Sequence, residues 1–210
     1  MNFSPDPQGP DEAARLLNKR FEALRTREFS RLDAGDHVYL DYTGSGLYAE
    51  SQLHRHDEFL EHHVLGNPHS ENPTSAAATQ IVENVRLDVL RFLNADPDEY
   101  TVVFTANASA ALKLVGEAFP FTEGSRFTLL QDNHNSVQGI RLYAEAAGAE
   151  VTYLPIDRDL RFDTTRPLPP AGETPGLFAF PTQSNFSGVQ HPLNLVGAAR
   201  AAGYEVLLDA

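Results

Sequence analysis

Five polar segments of the chain carry side chains able to bind or react. Residues 104–112, FTANASAAL, run from an apolar stretch through small residues into a helical pattern. Asn107, Ala108 and Ser109 would there present backbone N–H groups and a hydroxyl at a helix N-terminus, which is an anion site by its dipole and its unpaired donors. The same residues equally suit an ordinary capped βα turn. Neither GxGxxG nor the GxxxxGK phosphate loop is present, so dinucleotide and nucleoside triphosphate readings lose their main support. Residues 132–137, DNHNSV, offer His134, and residues 181–189, PTQSNFSGV, offer Gln183, Ser184 and Asn185. Asp209 adds a carboxylate beyond the apolar run 204–208. The fifth segment, HRHDEFLEHH (54–63), sets His54, Glu58 and His62 at i, i+4, i+8, types that can hold a metal. It lacks HExxH and a further ligand motif, and Asp57 and Glu61 beside it suit a solvated face, so no metal is assigned.

The elements that must position these groups follow from periodicity. Helices are expected over about 11–31, 49–64, 74–92, 108–118, 137–147 and 193–202, where apolar residues recur at three- and four-residue spacing. Thr74 or Ser75 is the expected cap of the third. Strands are expected at 37–41, 101–104, 126–130, 150–154, 177–180 and 204–209, with turns or loops at 43–46, 66–73 and 157–176. Strands alternating with helices imply an α/β fold: a mostly parallel sheet between two helical layers. In such sheets ligands bind beyond the carboxyl ends of the strands, where four of the five polar segments fall.

Composition narrows the function. The chain of 210 residues carries 16 basic and 29 acidic side chains, a net charge of −13, which disfavours nucleic acid and anionic membranes as partners. With no apolar run of spanning length and no signal-like N-terminus, a soluble cytoplasmic protein is expected. There is no cysteine, hence no disulfide or thiol nucleophile in these residues, and the only lysines are Lys19 and Lys113. The apolar run 204–209 reads as a central strand, and a chain stopping just past it reads as a fragment of a larger domain.

Together the segments YLDYTGSG (39–46), GNPHSEN (66–72), DEYTVVFTANASAALKLVGEAFPF (98–121), DNHNSVQGIR (132–141), QSNFSGVQHPL (183–193) and VLLDA (206–210) resemble the class V aminotransferase-fold enzymes that use pyridoxal phosphate. Within them the chain is most similar to the branch of molybdenum cofactor sulfurases and cysteine desulfurases. The resemblance implies the truncated large domain of the pyridoxal-phosphate transferase fold type I, a three-layer αβα structure. It implies an N-terminal helical segment, 1–36, and a partial cofactor-binding domain, 37–210.

The resemblance also assigns roles. Ala108 and Ser109 match the pair that grips the cofactor phosphate, with Asn107 standing where the sulfurase pattern has glycine. His134 matches the catalytic residue that stacks on the pyridine ring and shuttles protons, and Asn185, in an N-x-x-G pattern closing at Gly188, the group that hydrogen-bonds the ring hydroxyl. Asp209 matches the carboxylate paired with the pyridine nitrogen, which makes the ring an electron sink. Asn67 and His69 match a loop bordering the substrate entrance. The family's Schiff-base lysine lies downstream of the Asp209 position, as does the cysteine that accepts sulfur, so these residues alone are expected to be inactive. The implied parent activity is cysteine desulfuration for sulfur transfer by a homodimer. The alternatives are another class V transaminase or lyase, or a non-catalytic remnant binding a partner or a phosphate ligand.

Overall fold

The computed structural model describes residues 10–42 and 44–210; Thr43, in the expected 43–46 turn, lies outside them. The chain forms two compact units, divided between Val102 and Val103.

The first unit is helical. It holds α1 (Pro10–Glu28), α2 (Ser30–Ala34), α3 (Glu50–His62) and α4 (Pro73–Phe92). Glu28, at the end of α1, accepts hydrogen bonds from Arg27 Nε at 2.8 Å and from the Ser51 N–H at 3.0 Å. The carboxylate thus serves an amide in the first turn of α3 that has no acceptor within its own helix. These bonds, the one from Arg27 foremost, lower the Glu28 pKa to about 2.

The cap of α4 is Asn72, not the expected Thr74 or Ser75. Its side chain accepts the Ser75 N–H at 3.0 Å, and Pro73 occupies the first helical position, where the missing N–H costs nothing. The expected strand at 37–41 does not form, nor does that at 101–104. A β-prone sequence becomes a strand only where a neighbour completes its backbone hydrogen bonds. Among the described residues the strands are those of one sheet, which includes neither segment.

The second unit is α/β. It contains α5 (Ala108–Ala118), β1 (Arg126–Leu130), α6 (Asn135–Gln138), α7 (Arg141–Ala146), β2 (Glu150–Leu154), β3 (Gly176–Pro181), α8 (Asn194–Ala201) and β4 (Tyr204–Asp209). The strands form one parallel sheet in the order β2-β1-β3-β4. Strand alternation sorts the core into two layers. Phe127, Leu129, Leu177 and Ala179 pack with Leu112 of α5, Val137 of α6, Ala144 of α7 and Ile140 of the turn between α6 and α7. Leu130, Phe178 and Phe180 pack on the other side with Leu195 and Ala199 of α8. The central strands β1 and β3 are therefore buried on both faces, as in parallel sheets generally.

Two expectations need correction. The helix expected over 137–147 is two, α6 and α7, joined by a tighter turn. Ile140, Leu142 and Tyr143 donate to carbonyls three residues back rather than four. Strand β4, expected at the centre, stands at the edge of the four-stranded sheet, paired with β3 alone. The two central strands are β1 and β3, whose side chains are almost wholly buried.

Candidate functional site

All four strands point the same way, so the loops that follow β1 and β3 and the last residue of β4 share one edge of the sheet. His134, Asn185 and Asp209 stand there. Helix α5 belongs to the same unit and presents its N-terminus through Ala108 and Ser109.

Asn107 caps α5. Its side chain accepts the Ala110 N–H at 2.9 Å, while the Thr105 hydroxyl donates to its carbonyl at 2.9 Å. The backbone of Asn107 is extended, with φ −170°. The amides of Ala108 and Ser109 head the helix, where no intrahelical acceptor exists. The Ser109 hydroxyl meets that of Ser136 at 2.7 Å, which ties the head of α5 to the first turn of α6.

His134 caps α6 in turn. Its Nδ1 accepts the Ser136 N–H at 3.2 Å, so a neutral imidazole carries its proton on Nε2. Its backbone carbonyl also accepts from Val137 and Gln138. The ring is exposed and lines a cleft of about 300 Å³ with Gln131, Asp132, Asn133, Asn135, Gln138, Asn185 and Phe186. The structure thus brings His134 and Asn185 together, 51 positions apart in sequence.

Asn185 sits at the tip of a tight loop. Ser184 and Val189 are joined by a backbone bond of 3.0 Å, and Gln183 bridges Gln190 in antiparallel fashion. Gly188 closes the tip with φ +72°, a conformation that side chains with a Cβ rarely adopt. The N-x-x-G spacing is therefore a turn requirement. The base of this loop reaches the end of β4: the Asp209 carbonyl accepts the Thr182 N–H at 2.7 Å and its hydroxyl at 3.2 Å.

At the cleft wall lies a pair that spacing does not reveal. His191 Nε2 and Asp132 Oδ2 are 2.8 Å apart, with side chains only 1% and 2% exposed. Ser184 donates to the Asp132 carbonyl at 3.2 Å. Asn133 spans the ends of two strands, donating to Leu130 O at 2.8 Å and Ala179 O at 3.1 Å. Asp132 and Asn133 flank His134 in a motif the sequence does expose, but the partner 59 residues away becomes visible only in the fold.

Asn67 and His69 belong to the first unit, in the loop before α4. His69 has φ +69° and donates its N–H to Thr79 Oγ1 at 2.8 Å, which folds the loop back on α4. On α3, His62 and His63 turn their Nδ1 atoms to the Glu58 and Phe59 carbonyls, and His54 faces Glu50 at 3.6 Å. Among the described residues no three His, Cys, Asp or Glu side chains are grouped to hold a metal ion, and no helix is long and apolar enough to cross a membrane.

The donor set at this edge has a recognisable chemistry. Helix-head amides and a hydroxyl suit a phosphate, an imidazole and an amide share a cleft, and a carboxylate ends the neighbouring strand. These groups fit pyridoxal phosphate, whose phosphate, ring face, ring hydroxyl and ring nitrogen require those partners.

Comparison with known proteins places the chain in a family. The molybdenum cofactor sulfurase of Bos taurus is 42% identical over 207 residues, which cover 89% of this chain and 23% of that protein. The apo cysteine desulfurase of Thermococcus onnurineus superposes with a TM-score of 0.76 at 24% identity, covering 90% of this chain and 47% of that one. A C-DES variant with glycine covalently linked to its PLP cofactor superposes with a TM-score of 0.70 at 18% identity, covering 89% and 49%. The fold is thus that of the large domain of fold type I. The chain spans about a quarter of the length of the curated relatives it matches and about half that of the structural ones. Residues 38–210 match the family described as Aminotransferase class-V, and the chain belongs to that family.

Proposed function

We propose that the second unit is the cradle of a pyridoxal-phosphate enzyme whose complete form transfers sulfur from cysteine, with molybdenum cofactor as the acceptor. The observation that carries this reading is the sharing of one sheet edge by the groups around His134, Asn185 and Asp209, in the unit headed by Ser109. Of the expected helical segment 1–36, residues 10–36 are read as helical, residues 1–9 lying outside those described, and 37–210 as part of the cofactor domain. The complete enzyme is read as a homodimer acting in the cytoplasm.

In this reading Ala108 and Ser109 bind the phosphate through helix-head N–H groups and the Ser109 hydroxyl, where the dipole favours an anion. His134, with Nδ1 committed to Ser136, presents the face of its exposed ring for stacking and its Nε2–H as the proton it can give up. Asn185 hydrogen-bonds the ring hydroxyl. Asp209 holds a proton on the ring nitrogen by pairing a carboxylate with it. Pyridoxal phosphate supplies the electron sink that stabilises negative charge on the amino-acid carbon. The apolar walls from β1 and β3 keep water from beneath the site, which strengthens each of these polar contacts.

Titration of the 210-residue chain with pyridoxal phosphate, followed by absorbance and by fluorescence quenching, tests this. Saturable binding is expected. Asp209→Asn and Asn185→Ala should weaken it about tenfold or more, the scale of a hydrogen bond to a charged group. Absence of saturable binding, or variants that bind like the parent, would overturn the reading.

A further inference from the structure

The Asp132–His191 pair is a deeply withdrawn polar contact in the second unit, and none of the roles above uses it. We propose that these two are positioning residues, which set the distance between His134 and Asn185 and so the width of the cofactor cleft; this rests on the reading just given.

The placement is specific. Asp132 lies two residues before His134, at the carboxyl end of β1. His191 closes the loop that has Asn185 at its tip, and its own N–H donates to the Thr182 carbonyl at 3.0 Å. The bond between them therefore joins the two loops at their bases, and Asp132 itself lines the cleft with His134 and Asn185. Thr182 is the residue that also binds the Asp209 carbonyl, so the same clamp reaches the end of β4. On the other side, His134 is held by Ser136, and Ser136 by Ser109. The clamp is the central link in a run of hydrogen bonds, joined by the backbone between Asp132 and His134, from the helix head of α5 to Asp209.

Two further features argue that the pair is more than packing. The second Asp132 oxygen, Oδ1, is buried without a hydrogen-bond partner, as is Asn133 Oδ1. Asp132 Oδ2 thus depends on one donor, His191 Nε2, and the loop cannot shift by an ångström without stranding a carboxylate in the interior. An apolar pair would fill the volume without fixing a distance. A single short bond between two otherwise enclosed groups fixes it.

The roles of charge and of geometry separate by substitution. His191→Phe keeps ring volume and removes the donor; His191→Gln keeps an N–H donor. Asp132→Asn with His191→Phe removes the stranded charge and the clamp together, giving a second variant that avoids an unpaired buried carboxylate. Each chain is titrated with pyridoxal phosphate and with inorganic phosphate, its fold is checked by cooperative thermal unfolding, and the His134 imidazole resonance is recorded by NMR without any ligand. We expect His191→Phe and the double variant to lose about tenfold in pyridoxal-phosphate affinity, to keep the affinity for inorganic phosphate, and to show a displaced His134 resonance. His191→Gln should restore all three to near the parent values. A double variant that unfolds cooperatively and yet matches the parent in affinity and in the His134 resonance overturns the proposal. Equal losses for both ligands also overturn it, since those would report general loosening. A parent chain with no affinity for pyridoxal phosphate instead defeats the cofactor reading itself, and the positioning role falls with it.

Discussion

The hydroxyls of Ser109 and Ser136 lie 2.7 Å apart and join two helix heads, that of α5 and that of α6. Ser136 is also the residue whose N–H is accepted by His134, so one serine holds both the Ser109 hydroxyl, proposed for the phosphate, and the imidazole. Ser136→Ala is expected to free the Ser109 side chain to rotate while leaving the His134 cap, which uses a backbone donor. A neutral hydrogen bond contributes about 0.5–1.5 kcal/mol, so affinity for pyridoxal phosphate should fall about three- to tenfold. Affinity for pyridoxal, which lacks the phosphate, should hardly move. Titration with both ligands checks this, and an equal loss for the two would remove Ser136 from the phosphate end.

The sheet of the second unit was legible because each strand is a short run of apolar, β-branched or aromatic residues bounded by turn residues. Strand 126–130 and helix 108–118 occur with the expected bounds. Segments 37–41 and 101–104 have the same local character and form no strand, because strand formation depends on a neighbour that no local pattern specifies. The site was legible in part. His134 and Asn185 were suggested by their position after strands, and they do share a cleft. His191 was not, because a buried histidine differs from any other in sequence only through its distant partner. Ser136 was likewise hidden: its importance comes from the side-chain distance to Ser109, which depends on how α5 packs beside α6.

The packing of α5 on α7 rests on a close approach. A Cβ on Gly116 of α5 would lie 2.7 Å from Cδ2 of Tyr143 on α7, closer than carbon atoms tolerate. The glycine, itself buried, lets the two helices lie together over the Leu112–Ile140 layer of the core. Gly116→Val should force Tyr143 aside and cost about 1–3 kcal/mol, the usual range for overpacking a core. Adding Tyr143→Ala should relieve the clash, so the double variant is expected to lose less stability than the two single losses added together. Urea unfolding of the four chains measures the coupling. Strictly additive losses would mean the close contact carries no strain.

In the first unit, acid sensitivity should trace to Glu28. Its folded pKa of about 2 lies below the ordinary 4.5, because the carboxylate accepts from Arg27 and Ser51. A lowered pKa means that the unfolded chain takes up the proton first as the pH falls. The stabilising effect is complete above about 4.5 and is lost progressively as the pH falls toward about 2. Glu150 and Asp163 are also held below their usual values, by Arg126 and Thr165, and act in the same direction. Glu28→Gln should therefore unfold more readily than the parent at neutral pH, with the difference shrinking across that acid window. Urea midpoints recorded through the window provide the check; a constant difference would exclude Glu28 as a source of the acid response.

Lys113 is the lysine of the second unit, and its position makes it a spectator. It lies four residues beyond Ser109 along α5, about 6 Å of helix rise from the phosphate-end hydroxyl. Its Nζ is 3.4 Å from Glu117 Oε1, and its side chain is 63% exposed. An amine that reacts with a bound aldehyde must reach it, and the Lys113 side chain runs to Glu117, toward the end of α5 opposite its head. Treatment of the chain with pyridoxal phosphate and borohydride, followed by peptide mapping, should show no preferential label at Lys113 or Lys19. Lys113→Ala should bind pyridoxal phosphate within about twofold of the parent, as expected for loss of an exposed ion pair. A stoichiometric label confined to Lys113 would require α5 to present its flank to the aldehyde, and the assignment of its N-terminus to the phosphate would then have to be abandoned.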